Sequence, residues 1–394
     1  MTGVWGLAAL WLGLALIASL LSIWLRISTA LSEIVVGMIA QVIIGAAVGA
    51  AVLGTDESWV KFLSGLGAIV LTFLAGAELD PAVFRLKWKE ALSVGLASFF
   101  FPFLGCAAAA HYLLGWELMP SWLAGVAMST TSVAVVYAVM LEFGFNTTEY
   151  GKTILAACFV TDLGTVVALG LIFAPFTIKT LIFLGTGVVA FIVLPWITPR
   201  FFRLYGNRPS ELEAKFLLLC LLGMGALAAW ADSEAVLPAY LIGMVLAGTV
   251  GKDHALIRRL RTLTFGLLTP FYFIRAGSYV SIPDLVAAPI AFIIFLVVKV
   301  GTKIVGVYPV TKLFGSPNKE AMYTTLLMST GLTFGTISSL FGLSHGIIDQ
   351  AQYSSLVATV IASAVVPTAI ANAFYLPRHL LPKRESAAPD REAA

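Results

Sequence analysis

Apolar runs of about 18–25 residues recur along the whole chain, and each is long enough to cross the hydrocarbon core of a bilayer as a helix. This feature leaves few folds open. In lipid, every backbone N–H and C=O must find a partner within the protein, so an open chain of such runs becomes a bundle of helices. An outer-membrane barrel would need alternating segments of about ten residues, and these are absent. The composition agrees: 59% of the 394 residues are hydrophobic and 11% are charged, where soluble domains run nearer a quarter charged. The expected fold class is therefore an all-α polytopic membrane protein.

The pattern predicts thirteen spans, at 4–24, 29–53, 60–79, 91–114, 121–141, 152–175, 179–197, 214–231, 235–251, 262–281, 284–308, 320–341 and 350–376. The basic residues test that count. With the N-terminus outside, the inside segments carry nineteen Lys and Arg, the outside segments carry only Lys61 and Lys179, and Arg275, Lys299 and Lys303 fall within spans. That asymmetry is what the positive-inside rule demands, and a missed span would scramble it. The N-terminus is expected outside and the C-terminus in the cytoplasm.

No soluble domain is expected, because the longest internal loop, 198–213, is too short to fold alone. The tail 377–394 is polar and basic and reads as disordered. The first run, from Val4, lacks a basic leader, so no cleavable signal is expected. His111, His254, His345 and His379 are far apart and make no metal constellation, and Cys106, Cys158 and Cys220 read as packing thiols within apolar runs. "GTGVVA" at 185–190 has no strand before it and falls inside a span, so it is no nucleotide motif.

Two spans do not read as plain helices. "MSTTSVAVV" puts Ser129, Thr130, Thr131 and Ser132 in the middle of 121–141. "MSTGLTFGTISS" puts Ser329, Thr330, Gly331 and Thr333 in the middle of 320–341. Hydroxyls there can replace missing backbone partners and coordinate a cation through oxygen. Paired interrupted helices in corresponding halves of a transporter point to a midplane site. The plain alternative is that Ser, Thr and Gly only let helices pack closely. Two such spans, seven apart, favour the repeat, with spans 1–6 and 8–13 as inverted halves and span 7 as linker.

Asp162 is the only charged residue in 153–175, and a carboxylate at midspan costs on the order of 3 kcal/mol or more. One reading is an ion pair that locks two helices. The other is a carrier acid: burial favours its neutral form and a nearby cation its charged form, so it binds a proton or a metal cation but not both. Lys299 and Lys303 share a helix face at i, i+4 and are candidates to balance its charge, although snorkelling to the headgroups would explain one of them. Arg275, in "PFYFIRAGSYV", either pairs with a carboxylate, lines the entrance or sits near the outer interface. Glu78 and Asp80 end the third span on the inside, and Glu33 lies near the start of the second. For Glu78 and Glu33 a structural and a transport role are both open.

Taken together, these segments resemble the monovalent cation:proton antiporter family, and within it the branch of bacterial sodium/proton exchangers and Kef-type potassium efflux systems. The likeness runs over about residues 5–376. "LTFLAGAELD" resembles the third-helix signature, "MSTTSVAVVYAVMLEFG" the crossed, unwound helix, and "ACFVTDLGTVVALG" the ion-binding helix. "LPAYLIGMVLAG" and "PFYFIRAGSYV" resemble scaffold-side helices, and "LLMSTGLTFGT" the second unwound helix. The resemblance implies a dimerising scaffold (1–80 and 214–281), a linker helix (179–197), and a core (91–175 and 284–376) that moves against the scaffold like an elevator. It also implies Asp162 as carrier acid, Thr131 and Ser132 as ligands from the unwound helix, and Lys303 as the basic residue of the core. The chain departs from the family at Thr161, where relatives place Asp, Asn or Gln. One acid rather than two implies one proton per cation, hence electroneutral exchange. The nucleotide-binding tail of Kef-type proteins is missing, so regulation through such a domain is not expected.

The expectation is a secondary active Na+ or K+/H+ antiporter of the bacterial inner membrane, a homodimer in the lipid bilayer, with no cofactor, no enzymatic activity and no nucleic-acid partner. Asp162, Thr161, Thr130, Thr131 and Ser132 form the expected cation and proton site, with Asp162 as the metal-ion ligand. Lys303 and Lys299 balance charge, and Arg275, Glu78, Ser329 and Thr330 are accessory candidates. Two other transport classes stay open: a sodium-coupled symporter of an organic anion, which would need Arg275 or Lys299 as anion partner, and a channel-like cation uniporter. A membrane-embedded enzyme lacks any metal cluster or nucleophile–base pair.

Overall fold

The apolar runs become helices in a computed structural model of the protein, which describes residues 2–25, 29–48, 53–77, 87–145, 148–173, 177–206, 208–231, 236–287 and 289–381. Among these residues, nine helices are long and apolar enough to cross a membrane, and the protein is a multi-pass membrane protein. The first, α1 (Thr2–Leu25), is apolar on all sides and exposes Trp5 and Trp24 near its two ends, where amphipathic rings favour the two interfaces of a bilayer.

The next helices are α2 (Thr29–Val48), α3 (Ser58–Ala77) and α4, which runs from Trp88 and closes with a wide turn at Ala109–Leu113. The expected span at 121–141 is two short helices, α5 (Leu118–Ser129) and α6 (Val133–Glu142), followed by the long α7 (Glu149–Phe173). Helix α8 (Ile178–Tyr205) begins at a reciprocal Thr177–Thr180 cap and runs eight residues past the expected end at 197. Pro195 and Pro199 lie inside it without ending it, so Arg200 and Arg203 ride on a helix and not on a loop. Then come α9 (Leu212–Trp230), α10 (Val236–Leu246) and α11 (His254–Leu263). The expected span 262–281 continues from α11 without a break, through a wide turn at Thr264–Leu268 into α12 (Thr269–Ser278), with Pro270 just past that turn.

After the short α13 (Ile282–Ala287), the pattern long, short, short, long occurs a second time. It comprises α14 (Pro289–Leu313), α15 (Asn318–Met328), α16 (Thr333–Ser344) and α17, which runs from Gln350 and closes with a wide turn at Ala371–Tyr375. The tail reads as disordered from its composition, yet Arg378–Leu380 form a 3-10 turn. His379 holds it with Nε2 2.8 Å from Glu320 Oε1. Residues 382–394 lie outside the described residues, as do Glu78 and Asp80.

Two helix pairs are joined through reciprocal glycines. A Cβ on Gly37 or Gly277 would overlap the carbonyl of Ile274 or Ile34, which brings α2 against α12 backbone to backbone. A Cβ on Gly76 or Gly243 would overlap the carbonyl of Tyr240 or Phe73, which does the same for α3 and α10. Where lipid supplies no hydrophobic drive between helices, such close approach is how dispersion holds them. Beside these pairs, α4 packs on α5, α7 and α14. A stack of Phe99, Phe103 and Trp122 lines the α4–α5 seam, with ring centroids 5.3 and 5.4 Å apart.

Candidate functional site

The break between α5 and α6 comes where Thr130 turns extended. The hydroxyls of the broken segment then take over the freed carbonyls: Ser129 Oγ donates to Val126 O (2.7 Å) and Thr130 Oγ1 to Ala127 O (3.1 Å). The second break, between α15 and α16, uses the same chemistry, with Ser329 Oγ donating to Thr325 O (2.8 Å) and Thr330 Oγ1 to Leu327 O (2.7 Å). Broken backbone inside a membrane protein is tolerated where such partners exist.

The two breaks touch each other. Thr131 Oγ1 donates to Met328 O at 2.9 Å, and the Ser132 N–H reaches Thr330 Oγ1 at 3.4 Å. Ser132 Oγ in turn accepts from the Val135 N–H and starts α6. Thus Thr130, Thr131, Ser132, Ser329 and Thr330, all buried, meet at one point.

Asp162 arrives there from α7. It is 1% exposed. The backbone N–H of Thr131 reaches its carboxylate, and Oδ1 has no hydrogen-bond partner among the described residues. A buried carboxylate oxygen without a partner is costly and calls for a proton or a cation. Cys158, one turn earlier, lies 3.6 Å from the Met328 sulfur, and Thr165, nearly one turn later, places its hydroxyl 3.1 Å from Ser129 Oγ. The face of α7 that bears Asp162 therefore rests on both breaks.

Lys303 enters from α14. Its Nζ donates to Ser98 Oγ (2.6 Å), to Ser129 O (3.0 Å), to Thr130 O (3.4 Å) and to Thr131 Oγ1 (3.2 Å). Two of these are carbonyls at the C-terminal end of α5, where the helix dipole is negative. The ammonium is thus spent on the break and not on the Asp162 carboxylate. Neither lysine snorkels: both are fully buried, and Lys299 Nζ has no hydrogen-bond partner among the described residues.

Thr161 sits beside Asp162 in sequence but faces elsewhere. Its hydroxyl lies 3.1 Å from Gly95 O and 3.0 Å from Ala157 O, which ties α7 to α4. Arg275 also lies apart. It donates to Thr55 O (2.9 Å) and to the Tyr279 hydroxyl (3.0 Å), and that hydroxyl donates to Asp56 (2.9 Å). Lys61, 2.9 Å from Asp56, holds that exposed carboxyl below its usual range. Glu33 is buried on α2. Ser98, the shortest contact of Lys303, carries no sequence signal: it is one of two serines, with Ser93, in an apolar run, and its partner is about two hundred positions away.

One cavity reaches toward the crossing, and another lies around Asp56 and Tyr279. One, of about 430 Å³, is lined by Lys87, Glu90, Thr148, Glu149 and Glu320 and reaches Ala157, one turn short of Thr161. The other, of about 610 Å³, is lined by Gln41, Thr55, Asp56, Tyr279 and Gln350.

Known proteins share this architecture. The sodium proton antiporter MjNhaP1 from Methanocaldococcus jannaschii, solved at pH 8, superposes with a TM-score of 0.72 over 94% of this chain and 97% of its own, at 15% identity, which shows the fold. In sequence, a probable Na(+)/H(+) antiporter 3 of Methanocaldococcus jannaschii is 24% identical over 86% of this chain and 89% of its own length. The Na(+)/H(+) antiporter of Enterococcus hirae is 25% identical over 86% and 91%. Cation/H(+) antiporter 17 of Arabidopsis thaliana is 25% identical over 88% of this chain, which spans 46% of that longer relative. The transmembrane region that defines the sodium/hydrogen exchangers matches residues 12–374, nearly the whole chain, and the protein belongs to the sodium/hydrogen exchanger family.

Proposed function

We propose that the protein is a secondary active antiporter that exchanges a monovalent cation, Na+ or K+, for a proton, with Asp162 as the site both compete for. The observation that carries this reading is the carboxylate itself: buried, with Oδ1 unpartnered, at the point where two broken helices meet. A metal cation there would take Asp162 together with hydroxyl and backbone oxygens of 130–132, and a proton would neutralise the same carboxylate. Hard monovalent cations favour such an oxygen set. Thr161 would act on the helix position and not as a direct ligand.

The exchange is electroneutral in this reading, because Asp162 is the one acid in the site. Lys303 keeps its proton throughout, as its four acceptors suit an ammonium. The relatives include a Na(+)/H(+)-K(+) antiporter, GerN of Bacillus cereus, 23% identical over 84% of this chain, which keeps both cations in view. The cavity that reaches Ala157 opens among the segments expected inside, so the state described would be inward-facing. The core would then move like an elevator against the glycine-joined helices, in a homodimer in the bacterial inner membrane with the N-terminus outside and the C-terminus inside.

The test is reconstitution into vesicles with an internal pH dye and the membrane potential set by ionophores. Addition of Na+ or K+ should drive proton flux, and the rate should not change with the imposed potential. No pH response to any monovalent cation would refute the antiporter, and a potential-dependent rate would refute electroneutrality.

A further inference from the structure

The order long, short, short, long, seen in α4–α7 and again in α14–α17, lets positions in the two groups be paired. Met128, Ser129 and Thr130 before the first break match Met328, Ser329 and Thr330 before the second, so Thr131 pairs with Gly331. Asp162 and Ser363 are each the fourteenth residue of their helix, α7 and α17. Ser98 lies on α4 and Lys299 on α14, the long helix that opens each group. The three residues around the Asp162 site therefore have counterparts in Lys299, Gly331 and Ser363.

Those counterparts also converge in space. A Cβ on Gly331 would overlap Lys299 Nζ and would stand 2.9 Å from Thr130 Oγ1 and 3.3 Å from Ser363 Oγ. The missing side chain at Gly331 is what makes room for the ammonium. Thr130 spends its hydroxyl hydrogen on Ala127 O (3.1 Å) and Ser363 spends its own on Val360 O (2.9 Å). Both oxygens therefore keep lone pairs free for a cation. Lys299 is fully buried, and its Nζ has no hydrogen-bond partner among the described residues, although the Thr130 and Ser363 hydroxyls stand around the same vacant Cβ position.

We propose that the Lys299 ammonium is a tethered cation that fills the second half's counterpart of the ion site, so that one exchangeable site remains where the two halves would otherwise offer two. The inference rests on the reading of Asp162 as the exchangeable site. It explains why a second lysine is buried one turn from Lys303 without an acceptor of its own kind. It also explains the three differences between the halves. Where the first half has Asp162, Thr131 and Ser98, the last two held by Lys303, the second has Ser363, Gly331 and Lys299, a neutral residue, a vacant Cβ and a built-in positive charge.

The test converts the second pocket into a copy of the first with Lys299→Ser and Ser363→Asp. Binding of radioactive Na+ and Rb+ (as a K+ probe) is measured at alkaline pH on the full-length protein. The doubly substituted protein should bind one cation more per chain than the wild type. The same pair of changes in an Asp162→Asn background should restore one bound cation where Asp162→Asn alone binds none. No increment in either background overturns the proposal. Cation binding retained by Asp162→Asn alone refutes the Asp162 reading instead, and the increment still decides the role of Lys299. A second measurement needs one substitution only. Lys299→Met keeps the volume and removes the charge, so it should lower the thermal denaturation temperature if the pocket favours an ammonium. A rise would mean that the charge is merely buried and uncompensated, and would overturn the proposal.

Discussion

The glycine-joined pairs α2/α12 and α3/α10 and the crossing of the two breaks are both buried, but they are built on opposite principles. In the pairs, reciprocal glycines let backbones touch and leave no room for any added atom. At the crossing, hydroxyls, Lys303 and an aspartate replace regular backbone bonding, and one carboxylate oxygen is left without a partner. The pairs are therefore sensitive to volume and the crossing to charge. Polar ties between the two regions run from side-chain hydroxyls to backbone carbonyls. Tyr240 of α10 donates to Phe159 O of α7 (3.0 Å), and Tyr353 of α17 donates to Ala276 O of α12 (2.7 Å).

The two regions should respond to different substitutions, and the largest effect belongs to the crossing. Asp162→Asn should reduce cation-driven proton flux at least about 100-fold, equivalent to about 2.7 kcal/mol, while the denaturation temperature stays level or rises because a buried charge is gone. In the glycine pairs the effects should be reversed. Gly243→Val should cost about 1–3 kcal/mol of stability through overpacking against Phe73, read as a lowered denaturation temperature, with flux per folded molecule little changed. A variant there that folds normally but does not transport would contradict the division.

Lys303→Ala should come next. It strands Ser98, two carbonyls and Thr131 without their donor, at about 2 kcal/mol for a charge-assisted site. Ser98→Ala, which removes one acceptor, should cost about 1 kcal/mol in the same direction. Equal denaturation temperatures for wild type and both variants would count against the network.

The smallest effect lies at the surface, where Lys61 lowers the pKa of Asp56. A carboxyl whose folded value is depressed adds stability above its ordinary value near about 4, and loses it as the pH falls through the folded value. Asp56 and Lys61 are 72% and 49% exposed, so the contribution should stay below about 1 kcal/mol. Acid titration of Asp56→Asn against wild type should show only that small difference, fading at high salt.

Apolar length was enough to place the long helices: 152–175 is α7 at Glu149–Phe173, and 4–24 is α1 at Thr2–Leu25. Hydroxyl clusters located both breaks. Helix ends were harder. The span expected at 179–197 continues to Tyr205 with Pro195 and Pro199 inside α8; proline is common in membrane helices because neighbouring groups satisfy the carbonyls it frees. The direction of Thr161 could not be read either, since helical spacing gives a face but not the neighbour that meets it, and here that neighbour is Gly95. Ser98 was invisible because its meaning depends wholly on Lys303, brought to it by the α4–α14 contact.

In the proposed antiport, one buried carboxylate, Asp162, couples the two fluxes. The direct measurement is cation-driven pH change in vesicles, with the potential clamped, for wild type and Asp162→Asn at equal reconstituted and folded amounts. The account predicts a fast proton flux in the first and none above empty vesicles in the second. Coupled exchange retained by Asp162→Asn would contradict it.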